Sequence, residues 1–178
     1  DVDENNWAYD VVNNAYNWNI INGYPDMTFR SESSITRQEV IQIIFNALKY
    51  ANKDVAVTQE EAAGYLQGVA DAEEIEEWAT SSVAVAIKNG ILKGYEDGTF
   101  KPNNTISKTE ALILLARMIG VNNESFADTV EYAVEEYKST LSKYSTSYTN
   151  EVSLLLYAGI LKPSELDTYI SSANKNKA

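Results

Sequence analysis

The chain of 178 residues contains an internal repeat, which constrains its fold more than any other feature. Residues 7–39 align without a gap on residues 78–110, at an offset of 71 residues, with 12 identities in 33 positions. The identities include the loop sequences GYPDMTF and GYEDGTF and the outer residues of ITRQE and ISKTE. Self-similarity at a fixed spacing indicates one supersecondary unit used more than once.

Each copy is predicted to be a helix, a loop and a second helix. The first helix carries apolar residues at helical spacing, namely Trp7, Val11, Val12, Ala15 and Tyr16,. The second helix has a wider apolar stripe that includes Ile41, Ile44 and Leu48,. We expect these stripes to be core faces and Trp7 and Trp78 to be buried. Asn19 and Gly90 are the predicted left-handed residues where the first helix of each copy ends.

A third, degenerate copy follows the second. The triplet at 126–128 resembles 69–71, and residues 150–162 resemble 80–93, but nothing equivalent to the GYxDGTF loop or to ITRxE comes after Lys162. The domain prediction is therefore repeat 1 at 1–56, repeat 2 with a preceding short helix at 57–120, degenerate repeat 3 at 121–170, and a polar tail at 171–178.

Composition narrows the possible partners. The chain has 14 basic and 26 acidic residues and a net charge of −12, which argues against nucleic acid and anionic membranes,. Its longest apolar stretches, 111–119 and 154–161, are too short to span a bilayer, so no membrane insertion is expected,. No charged and apolar leader opens the sequence, so we expect a mature or excised segment.

Catalysis and metal binding are not expected. The chain lacks His and Cys, which removes thiol nucleophiles, His bases and Cys/His zinc sites,. The acidic run that begins at Asp1 has Asn6 and Val12 where a calcium-binding EF-hand loop requires Gly and Glu,. No carboxylate pair stands out as a glycosidase site. The prediction is a non-enzyme with no cofactor and no metal.

The paired motifs GYPDMTF…ITRQE and GYEDGTF…ISKTE resemble the S-layer homology family, strongly over residues 1–120 and weakly over 126–162. The resemblance implies an all-α fold of three helix-loop-helix repeats in a pseudo-threefold spindle. It also implies a non-catalytic module that attaches a larger exported or S-layer protein to the bacterial cell wall, outside the cell. The implied partner is a secondary cell-wall polysaccharide, often pyruvylated.

The resemblance assigns the principal polysaccharide contacts to Arg37 and Lys108. Independently, each is predicted at the first position of a helix, where a cation beside free N–H groups forms a seat for an anion. Thr36 with Glu39, and Ser107 with Glu110, have the capping-box spacing and need no ligand to explain them. We therefore expect the charge on Arg37 to matter for binding and little for stability.

The loops supply the other candidates. Gly23, Gly94 and Gly98 are expected to adopt positive φ angles, and Met27 in place of Gly98 predicts a strained or altered first loop. Asp26 and Asp97 are expected to form the turns and are candidates for a sugar contact. Trp18, which is Asn89 in the second copy, is the candidate for an exposed sugar-stacking ring. The candidate polysaccharide-binding residues are Arg37, Lys108, Thr36, Ser107, Asp26, Asp97, Gly23, Gly94 and Trp18.

Two other functions compete with wall anchoring. Two features favour a protein-interaction scaffold that has lost glycan binding. The third copy is degenerate, and the second copy has Lys108 at the position of Arg37. An enzyme acting on wall glycan is disfavoured by the lack of His, Cys and a defined carboxylate pair.

Overall fold

The computed structural model describes residues 1–51, 53, 55–120, 124–144 and 147–170, and the predicted tail 171–178 lies outside them. Within these residues the chain forms α-helices and short 3₁₀ turns, with no strand beyond an isolated bridge between Thr36 and Thr105. The all-α prediction is confirmed. The spindle arrangement and the repeat boundaries stay predictions.

The helices follow the repeats. They are α1 Tyr9–Asn17, α2 Arg37–Tyr50, α3 Gln59–Leu66, α4 Thr80–Lys88, α5 Lys108–Ile119, α6 Ala127–Leu141, α7 Thr149–Tyr157 and α8 Leu166–Tyr169, with 3₁₀ turns at Ala72–Glu74, Glu77–Ala79, Glu124–Phe126 and Pro163–Glu165. Among the described residues, no helix combines the length and apolar character that a bilayer span requires.

Helix ends lie where the sequence predicted them. Asn19 has a φ of 55° two residues after α1, and Gly90 has a φ of 66° two residues after α4. Gly159 has a φ of 69° two residues after α7, so the third copy retains the same stop signal. A left-handed residue satisfies the last carbonyls of a helix and turns the chain away.

The first of two compact units comprises residues 1–86 and 100–106. Its interior contains Ile41 and Ile44 of α2, Val83 and Val85 of α4, and the ring of Phe100, all of them buried. The predicted core face of α2 is therefore confirmed at these two isoleucines.

Helix α1 is different, because none of its residues is buried. Trp7 is 91% exposed and Trp78 is half exposed, so the prediction that both lie in the core is wrong. The sequence contains the reason. α1 has Asn13 and Asn14 at the positions of the buried Ala84 and Val85, and two amides cannot enter an apolar core without partners,.

The second unit comprises residues 87–99 and the chain from 107 onward. Helices α5, α6 and α7 of this unit pack around a cluster that contains Ala116, Leu141, Val152, Leu155, Leu156, Leu161, Leu166 and Ile170. The degenerate third copy supplies much of this core, including the buried Val152, Leu155, Leu156 and Leu161.

Candidate functional site

Each GYxDxTF loop is a tight turn closed by its own backbone. Tyr24 N–H donates to the Thr28 carbonyl at 2.8 Å, and Gly23 has a φ of 70°. A Cβ on Gly23 would lie 2.9 Å from that carbonyl oxygen, so glycine is required here,. Gly94 repeats the angle in the second copy. Both glycines therefore have a structural role, and their contact with a sugar stays a prediction.

Asp26 forms the turn, as its sequence position predicted. Its carboxylate accepts from the Thr28 hydroxyl at 2.6 Å and from Arg30 at 2.8 Å. These hydrogen bonds hold the pKa of the exposed Asp26 carboxyl at about 2,. Asp97 accepts from the backbone and hydroxyl of Thr99 in the second copy. A sugar contact by either aspartate stays a prediction.

Met27 adopts the left-handed conformation that Gly98 adopts in the second copy. Its φ is 64°, against 78° for Gly98, and its side chain is 95% exposed. The first loop therefore turns as the second does, and of the two alternatives predicted for it the strained loop is the one observed. A non-glycine residue in this region carries strain of about 1–2 kcal/mol.

Capping boxes begin α2 and α5, as predicted. The Glu39 carboxylate accepts from the Thr36 N–H at 2.7 Å, and Thr36 Oγ1 accepts from the Glu39 N–H. Ser107 and Glu110 form the same pair at α5. The Thr36 and Ser107 side chains therefore cap the starts of α2 and α5. A role for them in polysaccharide binding stays a prediction.

Arg37 opens α2 as predicted, but it is only 3% exposed. Its Nε donates to the Phe100 carbonyl at 2.8 Å, and its guanidinium carbon lies 5.4 Å from the centre of the Phe100 ring. The Arg37 N–H donates to the Asn104 carbonyl at 3.0 Å, and the Gln38 N–H donates to the Pro102 carbonyl at 3.1 Å.

The predicted anion seat at α2 therefore needs correction. The N–H groups expected to be free are engaged by residues 100–106, a segment that sequence analysis could not connect to α2. Arg37 joins the two repeats within the first unit, and its burial argues against the expectation that it matters little for stability. Its part in polysaccharide binding stays a prediction.

Lys108 opens α5 in the second unit and is exposed. Its ammonium nitrogen lies 5.8 Å from the centre of the Tyr169 ring, close enough for a cation–π contact,. Lys108 is thus the more accessible of the two cations that the resemblance singled out.

Trp18 is 48% exposed and stacks on Tyr50, with ring centroids 5.3 Å apart and an angle of 22° between the planes. The predicted exposure is confirmed, and Tyr50 is a partner that the sequence did not reveal. Two adjacent exposed aromatic faces offer an apolar platform.

An open groove of about 370 Å³, which the sequence did not predict, lies between α1 and the first loop. Its lining combines aromatic rings, amides and loop backbone, and includes Tyr9, Asn13, Tyr16, Asn22, Gly23 and Tyr24. Trp18 and Asp26 do not line it. The sequence does contain a signal for the polar and aromatic lining of this groove. Tyr9, Asn13 and Tyr16 stand where the second copy has Thr80, Ala84 and Ile87.

Arg30 lies beside this groove. Its guanidinium carbon is 4.0 Å from the centre of the Tyr24 ring, so an exposed cation borders the aromatic lining. Within the part of the chain that the structure describes, no three His, Cys, Asp or Glu side chains gather as a metal site.

Comparison with known proteins supports the two repeats as members of one domain family. Residues 1–41 and 70–112 match the family profile described as S-layer homology domain. Both segments contain a GYxDxTF loop and the start of the following helix. The resemblance drawn from the sequence is confirmed.

Several curated proteins are similar over about two thirds of the chain. The cellulosome-anchoring protein of Acetivibrio thermocellus is 27% identical over 124 residues, which cover 67% of this chain and 25% of that protein. Cell surface glycoprotein 1 of the same organism is 28% identical over 119 residues, 67% of this chain and 5% of its own length. The surface-layer 125 kDa protein of Lysinibacillus sphaericus is 27% identical over 122 residues, 67% and 10% respectively. The chain thus matches a quarter or less of each relative.

Proposed function

Since residues 1–41 and 70–112 belong to the S-layer homology family, we propose that this chain anchors a larger protein at the bacterial cell surface by binding cell-wall polysaccharide. The relatives support a surface location through their names, which describe anchoring, cell-surface and surface-layer proteins. The observation that carries the proposal is the tandem of family repeats with intact loops and helix starts.

The groove of the first repeat is the proposed polysaccharide site. Sugar rings present apolar C–H faces and a rim of hydroxyl groups, so they need aromatic surface and amide donors and acceptors together. Tyr9 and Tyr16 supply the rings, and Asn13 and Asn22 supply the amides. Its open shape suits an extended polymer.

An acidic substituent such as a pyruvyl group would be recognised by an exposed cation. Arg30, at the edge of the groove, and Lys108, at the start of α5, are exposed, whereas Arg37 is buried under residues 100–106. Arg30 already bonds Thr28 through Nε and Asp26 through Nη2, so it offers its remaining N–H groups to a carboxylate, and Lys108 offers a point charge,. The segment itself acts as a non-catalytic module and leaves any enzymatic activity to other parts of its protein.

Co-sedimentation with purified cell walls tests this function. The full chain should pellet with walls, and removal of pyruvyl groups should weaken the interaction. Tyr16→Ala should reduce binding about tenfold or more, because a groove-lining ring is lost. Tyr132→Ala removes a similarly exposed ring from α6, outside the groove, and should leave binding unchanged. Equal wall binding by both variants would contradict the groove assignment.

The structure adds one observation in favour of the scaffold function. Arg37, the family's expected polysaccharide contact, is committed to holding the two repeats together. If the full chain fails to pellet with walls of any composition while melting cooperatively, the scaffold function replaces wall anchoring.

A further inference from the structure

The first repeat contains a segment, residues 29–35, that is equivalent to residues 100–106 and has the same backbone shape. Arg30 and Lys101 both adopt left-handed conformations, with φ angles of 59° and 57°. Each segment then forms a turn that starts at this residue. The Ser33 N–H donates to the Arg30 carbonyl at 2.8 Å, and the Asn104 N–H donates to the Lys101 carbonyl at 3.2 Å.

One aspartate holds each segment in place. The Asp1 carboxylate accepts from the N–H groups of Phe29 and Arg30, at 2.6 and 2.8 Å. The Asp71 carboxylate accepts from the two equivalent N–H groups of residues 100–106, both at 2.7 Å. The two segments are therefore built alike, and the Asp1 contacts that position Phe29 and Arg30 lie within the first repeat,.

The two segments differ in what they bind. Residues 100–106 receive the start of α2 through three carbonyl groups, as described above. The equivalent carbonyls of Phe29, Ser31 and Ser33 accept no hydrogen bond from any described residue, and residues 30–34 are exposed. Among the described residues, nothing bonds to the three carbonyls of the first repeat that correspond to those by which the second repeat holds a helix.

We propose that residues 29–35 are a docking surface for the N-terminus of a helix from a separate S-layer homology module, a second helix that begins with a basic residue as α2 does. The acceptors match this occupant, because a helix start offers unpaired N–H groups and the basic side chain offers a further donor. Glu32 stands in the position of Asn103 and adds a carboxylate that favours a cationic partner,.

Of the two described helices that begin with a basic residue, α2 is engaged through its backbone N–H groups, and α5 is engaged through the hydroxyl of its second residue. The start of α2 is held by residues 100–106, where Gln38 Nε2 also donates to Asn103 Oδ1 at 2.8 Å. At α5, the Thr109 hydroxyl donates to the Tyr169 carbonyl. Because the start of α2 cannot hold both segments, a helix start from another S-layer homology module is the occupant that the chemistry favours.

Nuclear magnetic resonance on the ¹⁵N-labelled full chain tests this proposal. The probe is a synthetic peptide of residues 36–50, stapled on its solvent face because a helix of this length is marginal in water. Titration to millimolar peptide should shift the amide signals of residues 30–34 in a saturable manner. A matched peptide with a methyl group on the backbone nitrogen of Gln38 loses one donor and should bind about threefold to tenfold more weakly.

Variants of the full chain separate this surface from the glycan groove. Glu32→Lys should weaken peptide binding by about threefold or more, while Glu60→Lys, an equal charge change on α3, should not. Both variants should bind cell walls like the parent. The proposal is overturned if the amide signals of residues 30–34 do not move, or if the methylated peptide binds as well as the unmodified one. It is also overturned if these signals shift with protein concentration alone, which would indicate a second copy of this chain as the occupant.

Discussion

The Tyr24 hydroxyl donates to the Glu39 carboxylate across 2.8 Å, and Tyr95 repeats this contact with Glu110 at 3.1 Å. In each copy this bond joins the loop to the capping box of the following helix. Burial opposes ionisation of Glu39, but hydrogen bonds from Thr36 and Tyr24 outweigh it and hold its pKa below the ordinary value,. The loop and the helix start are thus one structural unit, which explains why their motifs recur at a fixed spacing.

Removal of this hydrogen bond in either copy should lower the stability of the fold. Tyr24→Phe preserves the ring and should lower the free energy of unfolding by about 1–2 kcal/mol, because a bond to a charged group is lost. Urea denaturation followed by circular dichroism measures the change, and Tyr95→Phe should behave similarly. A loss below about 0.3 kcal/mol in both variants would show that this bond does not hold the loop to the helix.

Glu39 should make the protein sensitive to acid. Because its pKa is lowered in the folded state, its contribution to stability is complete above the unfolded value of 4.5 and is lost as the pH falls through the folded value,. Stability should therefore decline below about pH 4.5, and Glu39→Gln should flatten that decline while lowering stability at pH 7. Thermal melts between pH 3 and 7 provide the comparison. An unchanged pH profile in the variant would contradict this assignment.

Arg37 and Lys108 occupy equivalent positions but should differ in their effect on folding. Arg37→Ala removes a buried cation and the Phe100 carbonyl's donor, so the free energy of unfolding should fall by about 1.5–3 kcal/mol,. Lys108→Ala changes an exposed residue and should stay within about 0.5 kcal/mol. Chemical denaturation of both variants decides the matter, and equal losses would contradict the difference in burial.

Local features were predictable from the sequence. The capping boxes at Thr36 and Ser107 and the left-handed ends at Asn19 and Gly90 depend on residues within one helical turn, so short-range spacing determines them,. The all-α fold follows from the same periodicity. These predictions hold because no distant residue competes with the local hydrogen bonds.

Burial was not predictable in the same way. Arg37 is buried by Phe100, 63 positions away, and a helical pattern contains no information about that contact. Trp7 shares its position with Trp78, yet periodicity predicts an apolar face without showing whether anything covers it,. Comparing α1 with α4, where amides replace Ala84 and Val85, would have indicated both the exposure of α1 and the polar lining of the groove.

The buried ion pair between Arg117 and Glu151 should be what fastens the degenerate third copy to α5. Arg117 Nε donates to the Glu151 carboxylate at 3.0 Å, and Arg117 also donates to the Ile91 carbonyl at 3.4 Å. Because removing one partner leaves a buried charge without compensation, Arg117→Met and Glu151→Leu should each cost about 3–5 kcal/mol.

The double variant distinguishes the ion pair from simple packing. An apolar pair of similar volume loses the attraction but also the cost of burying two charges, so Arg117→Met with Glu151→Leu should be far less destabilised than the sum of the single variants. Urea unfolding of all four proteins measures this coupling. If the losses are additive, the ion pair does not join α5 to α7, and the apolar cluster around Leu155 alone holds the third copy in place.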